Sequence, residues 1–141
     1  MITSTVRPIR RLSALIEPEQ NNYICSSGFA VLQSVKIEPE VLLVYLRSPI
    51  VCEILDLHTT ASMYPAISTE DLLNIPITLP KESTRQEIVQ KVRESRKARE
   101  QSKQLLEIAK MGVERAIETD EATATNWIEE QLKMLSIEIS P

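Results

Sequence analysis

Three arginines, Arg7, Arg10 and Arg11, stand close together in a stretch that is otherwise sparse in basic residues. A planar guanidinium offers paired N–H donors, which suit a phosphate or the edge of a guanine. Read plainly, the same cluster is a set of solvated charges beside a strand. Further along, Thr60, Ser62 and Tyr64 place three hydroxyls in and just after a polar stretch at residues 58–62. Small hydroxyls of this kind contact DNA backbones, and they also make ordinary loops. His58 lies between Asp56 and Ser62, but no nucleophile elbow or phosphate-binding glycine loop accompanies it. A histidine closing a helix is accounted for by the helix dipole. Cys25 and Cys52 lack CxxC spacing, and with a single histidine they fall short of the four ligands a structural zinc needs. The reading is therefore of a non-catalytic chain with no cofactor and no metal.

A second kind of chemistry is association. Across residues 84–118, Ile88, Val92, Ser95, Arg99, Ser102, Leu106, Ala109, Val113 and Ala116 alternate by four and three, the spacing of a helical seam. Such a helix is about 50 Å long at ~1.5 Å per residue and cannot bury its own seam. Ile88, Val92, Arg99, Leu106, Ala109 and Val113 are the candidate dimerisation residues, with Arg99 either reaching outward or setting the register. Trp127, Ile128, Leu132 and Leu135 mark a shorter helix that either folds back on the first or leaves the seam to another chain. Residues 85–103 hold seven basic and three acidic side chains, a surplus that suits DNA phosphates or an acidic partner, or is a solvated face.

These residues need elements to position them. Short strands are predicted at residues 2–6, 12–16, 23–25 and 29–35, divided by Pro8, Pro18, Asn21-Asn22 and Gly28. Pro39 opens a helix that ends before Pro49, and Ser48-Pro49 starts another. Ser68, with Asp71 three residues on and Ile67 and Leu72 flanking, predicts a short helix from Thr69 to about Asn74. Residues 75–80 read as a strand, with Pro76 pointing to an edge position or a non-bonded ladder site. Ser83 and Gln86 form a second cap, from which the long helix begins at Thr84.

The 141 residues divide in character near Pro80, which gives a mixed domain at 1–80 and a helical arm at 81–141, an α+β chain. The net charge of −4 argues against a free-standing DNA binder, which ordinarily carries a basic surplus. No basic leader precedes an apolar core, and no apolar run nears the ~18 residues of a membrane span. A cytoplasmic location is expected.

The order Thr5-Val6-Arg7-Pro8, Ser26-Ser27-Gly28-Phe29-Ala30-Val31-Leu32, Ile37-Glu38-Pro39-Glu40 and Leu43-Val44-Tyr45-Leu46-Arg47-Ser48 resembles the second half of a target-recognition domain of a type I restriction–modification specificity subunit. The likeness continues through Tyr64-Pro65-Ala66-Ile67-Ser68, Asp71-Leu72, Ile75-Pro76-Ile77 and Leu79-Pro80, and closes with Gln86-Glu87-Ile88-Val89 at the start of the long helix. It implies a truncated recognition domain followed by a spacer helix, lacking the stretch that precedes this half in the family. Where the family commonly has Thr-Gly, this chain has Thr60-Ala61-Ser62. The resemblance further implies sequence-specific DNA recognition, a modification methyltransferase subunit as partner, catalysis on partner subunits, and pairing of half-sized chains through their long helices. The alternative from the residues alone is a protein-interaction or dimerisation module, a truncated remnant that no longer reads DNA.

Overall fold

The structure is a computed structural model that describes residues 1–60 and 63–135. Among the described residues it comprises a three-stranded antiparallel sheet and five α-helices, an α+β fold. The strands are β1 (Ile2–Ser4), β2 (Ser13–Ala14) and β3 (Phe29–Val31); the helices are α1 (Pro39–Arg47), α2 (Pro49–Leu57), α3 (Thr69–Asn74), α4 (Glu82–Glu118) and α5 (Glu121–Met134). The chain forms two compact units, Met1–Val92 and Arg93–Pro141. None of the described helices is long and apolar enough to cross a membrane.

In the first unit β1 is the central strand, flanked by β2 and β3. Thr3 pairs with Ser13 on one side and Ala30 on the other. Its buried hydroxyl lies 2.7 Å from that of Ser13, and the Ser4 hydroxyl donates to the Val6 carbonyl at 2.8 Å. These bonds satisfy polar groups that burial would otherwise penalise. All three strands are shorter than the sequence predicts. The first run stops at Ser4 because Thr5 and Val6 turn to other partners, the Thr5 carbonyl accepting from the Ile67 N–H and Val6 bridging Ala66. Two predicted strands are absent. Residues 23–25 follow a turn and remain unpaired, with Ile24 97% exposed, so their β-favouring side chains have no surface to pack on. Residues 75–80 are an unpaired extended segment. Pro76 and Pro80 supply no N–H to a ladder, and the Pro76 carbonyl accepts instead from the Tyr45 hydroxyl at 2.7 Å. Burial pushes the Tyr45 phenol above its ordinary value, which keeps it a donor.

The helices of this unit follow local signals closely. Pro39 and Pro49 each take the first helical turn, where a missing N–H has no consequence. Ser48 between them is extended (φ −68°, ψ 141°), as a residue before proline prefers. Leu42 and Leu46 of α1, Val51 and Leu55 of α2, and Ala30, Ile67 and Leu72 make one aliphatic core. The Ser68 hydroxyl oxygen accepts from the Asp71 N–H at 3.0 Å and caps α3, while Ile67 and Leu72 are both buried in that core. The long helix starts earlier than the Ser83 cap predicts. Glu82 is its first residue, the Arg85 N–H bonds to the Lys81 carbonyl at 3.0 Å, and the Gln86 side chain donates to Glu82 at 2.7 Å. Arg85 pairs with Glu82 and lies 4.0 Å from Glu38, and Val89 is buried.

The second unit is the remainder of α4 with α5 folded back along it. Asp120 caps α5, accepting from the Thr123 N–H at 2.9 Å. Gly112 is buried, and a Cβ built on it would lie 2.5 Å from Ile128 Cδ1, so α5 approaches over a missing side chain. The Arg115 guanidinium sits 4.9 Å from the centre of the Trp127 ring. Leu105, Ile108, Gly112 and Ala116 form the more buried face of this part of α4. Leu106, Ala109, Val113 and Ile117 form a second stripe, displaced by one residue, and it is exposed: Leu106 57%, Val113 61%, Ile117 81%.

Candidate functional site

Residues 4–7 run between two other segments of the first unit. The Thr5 N–H donates to the Gly28 carbonyl at 2.9 Å, and the Thr5 carbonyl accepts from the Ile67 N–H at 2.9 Å. One residue on, Val6 pairs with Ala66 in an isolated antiparallel bridge. Ala66 also pairs with Thr60, whose N–H reaches the Ala66 carbonyl at 2.9 Å, so that pair closes the loop after α2. The Arg7 N–H then donates to the Pro65 carbonyl at 2.8 Å. The effect is to pin the start of the Arg7–Arg11 segment to the far end of the hydroxyl-bearing loop.

Arg7 adopts a left-handed backbone (φ 50°, ψ 61°) where the chain turns into Pro8–Arg10. Its guanidinium carbon lies 5.2 Å from the centre of the Tyr64 ring, and Nη2 donates to the Met63 carbonyl at 3.4 Å. The ring itself is 66% exposed. Thus the structure brings together Arg7, Thr60 and Tyr64. Ser62, the other loop residue singled out from the sequence, lies outside the described residues.

Arg10 and Arg11 are exposed on the turn that follows Arg7. Pro8 anchors that turn by its burial, and the Arg11 N–H closes it onto the Pro8 carbonyl at 2.9 Å. The turn packs against α2. Burial pushes the Cys52 thiol of α2 up from its ordinary value and the charge of Arg11 draws it partly back. A buried thiol held protonated and donating to the Leu46 carbonyl is a poor nucleophile. His58 terminates α2, its N–H donating to the Leu55 carbonyl at 3.2 Å. Among the described residues no group of three His, Cys, Asp or Glu side chains is arranged to hold a metal ion.

The candidate association residues fall in two places. Ile88 and Val92 are half-buried in the first unit, whereas Arg99, Leu106, Ala109 and Val113 are exposed in the second. The Met63 and Pro65 carbonyls, which fix Arg7, are backbone groups with no sequence signature; the Tyr64-Pro65 pair is the nearest hint of a rigid turn there. In the second unit Ile108, Met134 and Leu135 line an open groove of about 440 Å³ beside α5, with Glu100, Lys103 and Glu107 at its edge.

The electrostatics of the first unit limit what the Arg7 face can do. Residues 1–92 carry eight basic and ten acidic side chains, so the unit has no general attraction for phosphate. No protein-family model, curated protein or solved structure matches the chain.

Proposed function

We propose that this chain is a non-catalytic, cytoplasmic DNA-recognition component of a type I restriction–modification system, acting with a modification methyltransferase subunit. The observation that carries this reading is the convergence of Arg7 and Tyr64. Two segments that resemble separate parts of a specificity subunit's recognition domain meet in one place, with the guanidinium held against an exposed ring and both Val6 and Thr60 paired with Ala66. An arginine ordered before contact gives up little freedom on binding, which favours recognition over loose charge attraction. The acidic balance of the chain makes its own affinity weak at physiological salt and assigns the remainder to the partner.

The test is a DNA-binding titration with the methyltransferase present, comparing Arg7→Ala with the paired change Arg93→Ala/Lys97→Ala on α4. Loss with Arg7→Ala and near-normal binding with the helix pair is the expected result. The opposite outcome would move the site to the helix.

A second reading, a self-pairing module, is favoured by the uncovered stripe Leu106–Ala109–Val113–Ile117. The charges along α4 suit an antiparallel copy. On α4, residues 93–103 hold five basic and two acidic side chains, and residues 107–118 hold two basic and three acidic. Antiparallel pairing sets the basic half of one copy against the acidic half of the other. The two readings are compatible, since a paired chain presents two recognition units.

A further inference from the structure

We infer that Arg7 reads a guanine through its major-groove edge and that Tyr64 is the positioning residue that aims it. This rests on the DNA-recognition reading above and names the base it recognises. A guanidinium has five N–H donors arranged in two edges of two, one formed by Nε and Nη2 and the other by Nη1 and Nη2. The Met63 carbonyl engages one of the two Nη2 hydrogens. Whichever hydrogen that is, one complete two-donor edge remains without a partner among the described residues.

Three restraints fix where that edge points. The backbone is held left-handed with its N–H on the Pro65 carbonyl, the guanidinium is 5.2 Å from the Tyr64 ring centre, and Nη2 is on Met63. A ring beside a cation also leaves it partly desolvated without consuming its donors. A directed pair of donors matches two acceptors side by side. Guanine alone among the bases offers that in the major groove, through O6 and N7; adenine pairs an acceptor with a donor, thymine offers one acceptor and a methyl, and cytosine a donor. A phosphate also accepts two bonds, and the exposed Arg10 and Arg11 on the next turn are neighbouring cations that suit it. The directed donor pair favours a base edge, and the dependence on salt separates the two. The first unit has ten acidic side chains to eight basic.

The experiment is selection from a pool of randomised duplexes by the full chain with the methyltransferase subunit present, repeated with Arg7→Ala, Arg7→Lys, Tyr64→Phe and Tyr64→Ala. The expected result is an enriched site with a fixed guanine whose preference Arg7→Ala reduces about ten- to a hundredfold, leaving the other positions unchanged. Placing 7-deazaguanine there removes the N7 acceptor. Wild type should then lose about tenfold, and Arg7→Ala should not respond. Arg7→Lys restores the preference only in part, because an ammonium can reach O6 and N7 but lacks the planar fork that the Tyr64 ring and the Met63 carbonyl orient. Tyr64→Phe keeps it and Tyr64→Ala weakens it.

Uniform weakening of all sequences by Arg7→Ala, with the salt dependence flattened by about one unit of slope, makes the contact a phosphate and overturns the inference while DNA recognition stands. An enriched site untouched by Arg7→Ala also overturns it and moves base reading elsewhere on the chain. No enrichment by wild type overturns both this inference and the DNA reading, and leaves the two-donor edge to a carboxylate of a protein partner.

Discussion

Arg7 and Arg11 are the two non-glycine residues with positive φ among the described residues, at 50° and 55°, one on each side of the turn Pro8–Arg10. Left-handed backbone costs an L-residue about 1–2 kcal/mol, so the turn is held by what surrounds it: buried Pro8, the Pro8 carbonyl bond and the packing on α2. At Arg7 the same geometry aims a side chain at Tyr64, whereas at Arg11 it mainly closes the turn. Arg11 is therefore the position where strain can be relieved with least effect on the Arg7 face. Arg11→Gly should leave stability unchanged or raise it by up to about 1 kcal/mol. Arg11→Val should lower it by about 1–2 kcal/mol, because a β-branched residue tolerates positive φ worst. Denaturant melts of the two variants against wild type check the ordering; a valine variant as stable as the glycine one would show that the turn is not strained.

At the scale of elements, α5 depends on a missing side chain and a charged cap. Alanine has the better helix propensity, yet Gly112→Ala should destabilise α5 packing by about 1–2 kcal/mol because its Cβ meets Ile128. Adding Ile128→Ala should recover part of that loss, a coupling that a double-mutant cycle on thermal stability measures. Bonds from the Thr123 hydroxyl, and then from the Thr123 and Ala122 N–H groups, hold the Asp120 carboxyl below its ordinary value of 3.8. A depressed carboxyl contributes stability that is complete above the unfolded value and disappears as pH falls through the folded one. Trp127 is the single tryptophan and packs against Arg115, so its fluorescence should report loosening of α5 below about pH 4. Asp120→Asn keeps a cap and should flatten that acid limb.

Element starts were the most legible part of the sequence. Pro39, Pro49 and the Ser68 cap are local signals, and the helices begin where they say. The strands were less legible because pairing is settled by distant residues; nothing near residues 23–25 reveals that no strand lies beside them. The register of α4 was ambiguous for another reason. Leu105-Leu106, Ile108-Ala109 and Gly112-Val113 offer two adjacent stripes of equal periodicity, and periodicity alone cannot say which of them α5 covers. At the candidate site, the individual residues Arg7, Thr60 and Tyr64 were readable by type. Their meeting was not, since it is made by the Pro65 and Ala66 backbone.

For the molecule as a whole, the stripe that α5 leaves uncovered sets the expected assembly. With its centre near Ala109, an antiparallel pair places Leu106 of one copy opposite Val113 of the other and brings Arg99 and Lys103 toward Glu114 and Glu118. Leu106→Glu should convert a dimer to monomer by sedimentation equilibrium, while Leu105→Glu should disturb α5 within the chain. A wild-type chain that stays monomeric at high concentration removes the pairing reading and leaves the Arg7 face unaffected.

The central position of β1 has a consequence for how the first unit tolerates damage. Residues 2–5 hold both neighbouring strands, and Thr5 bridges Gly28 and Ile67 as well. β2 and β3 share no ladder with each other. A proteolytic cut within these residues, or Thr3→Pro, therefore takes out the middle of the sheet rather than an edge. The damaged chain keeps every helix sequence but loses the strand that orders Arg7.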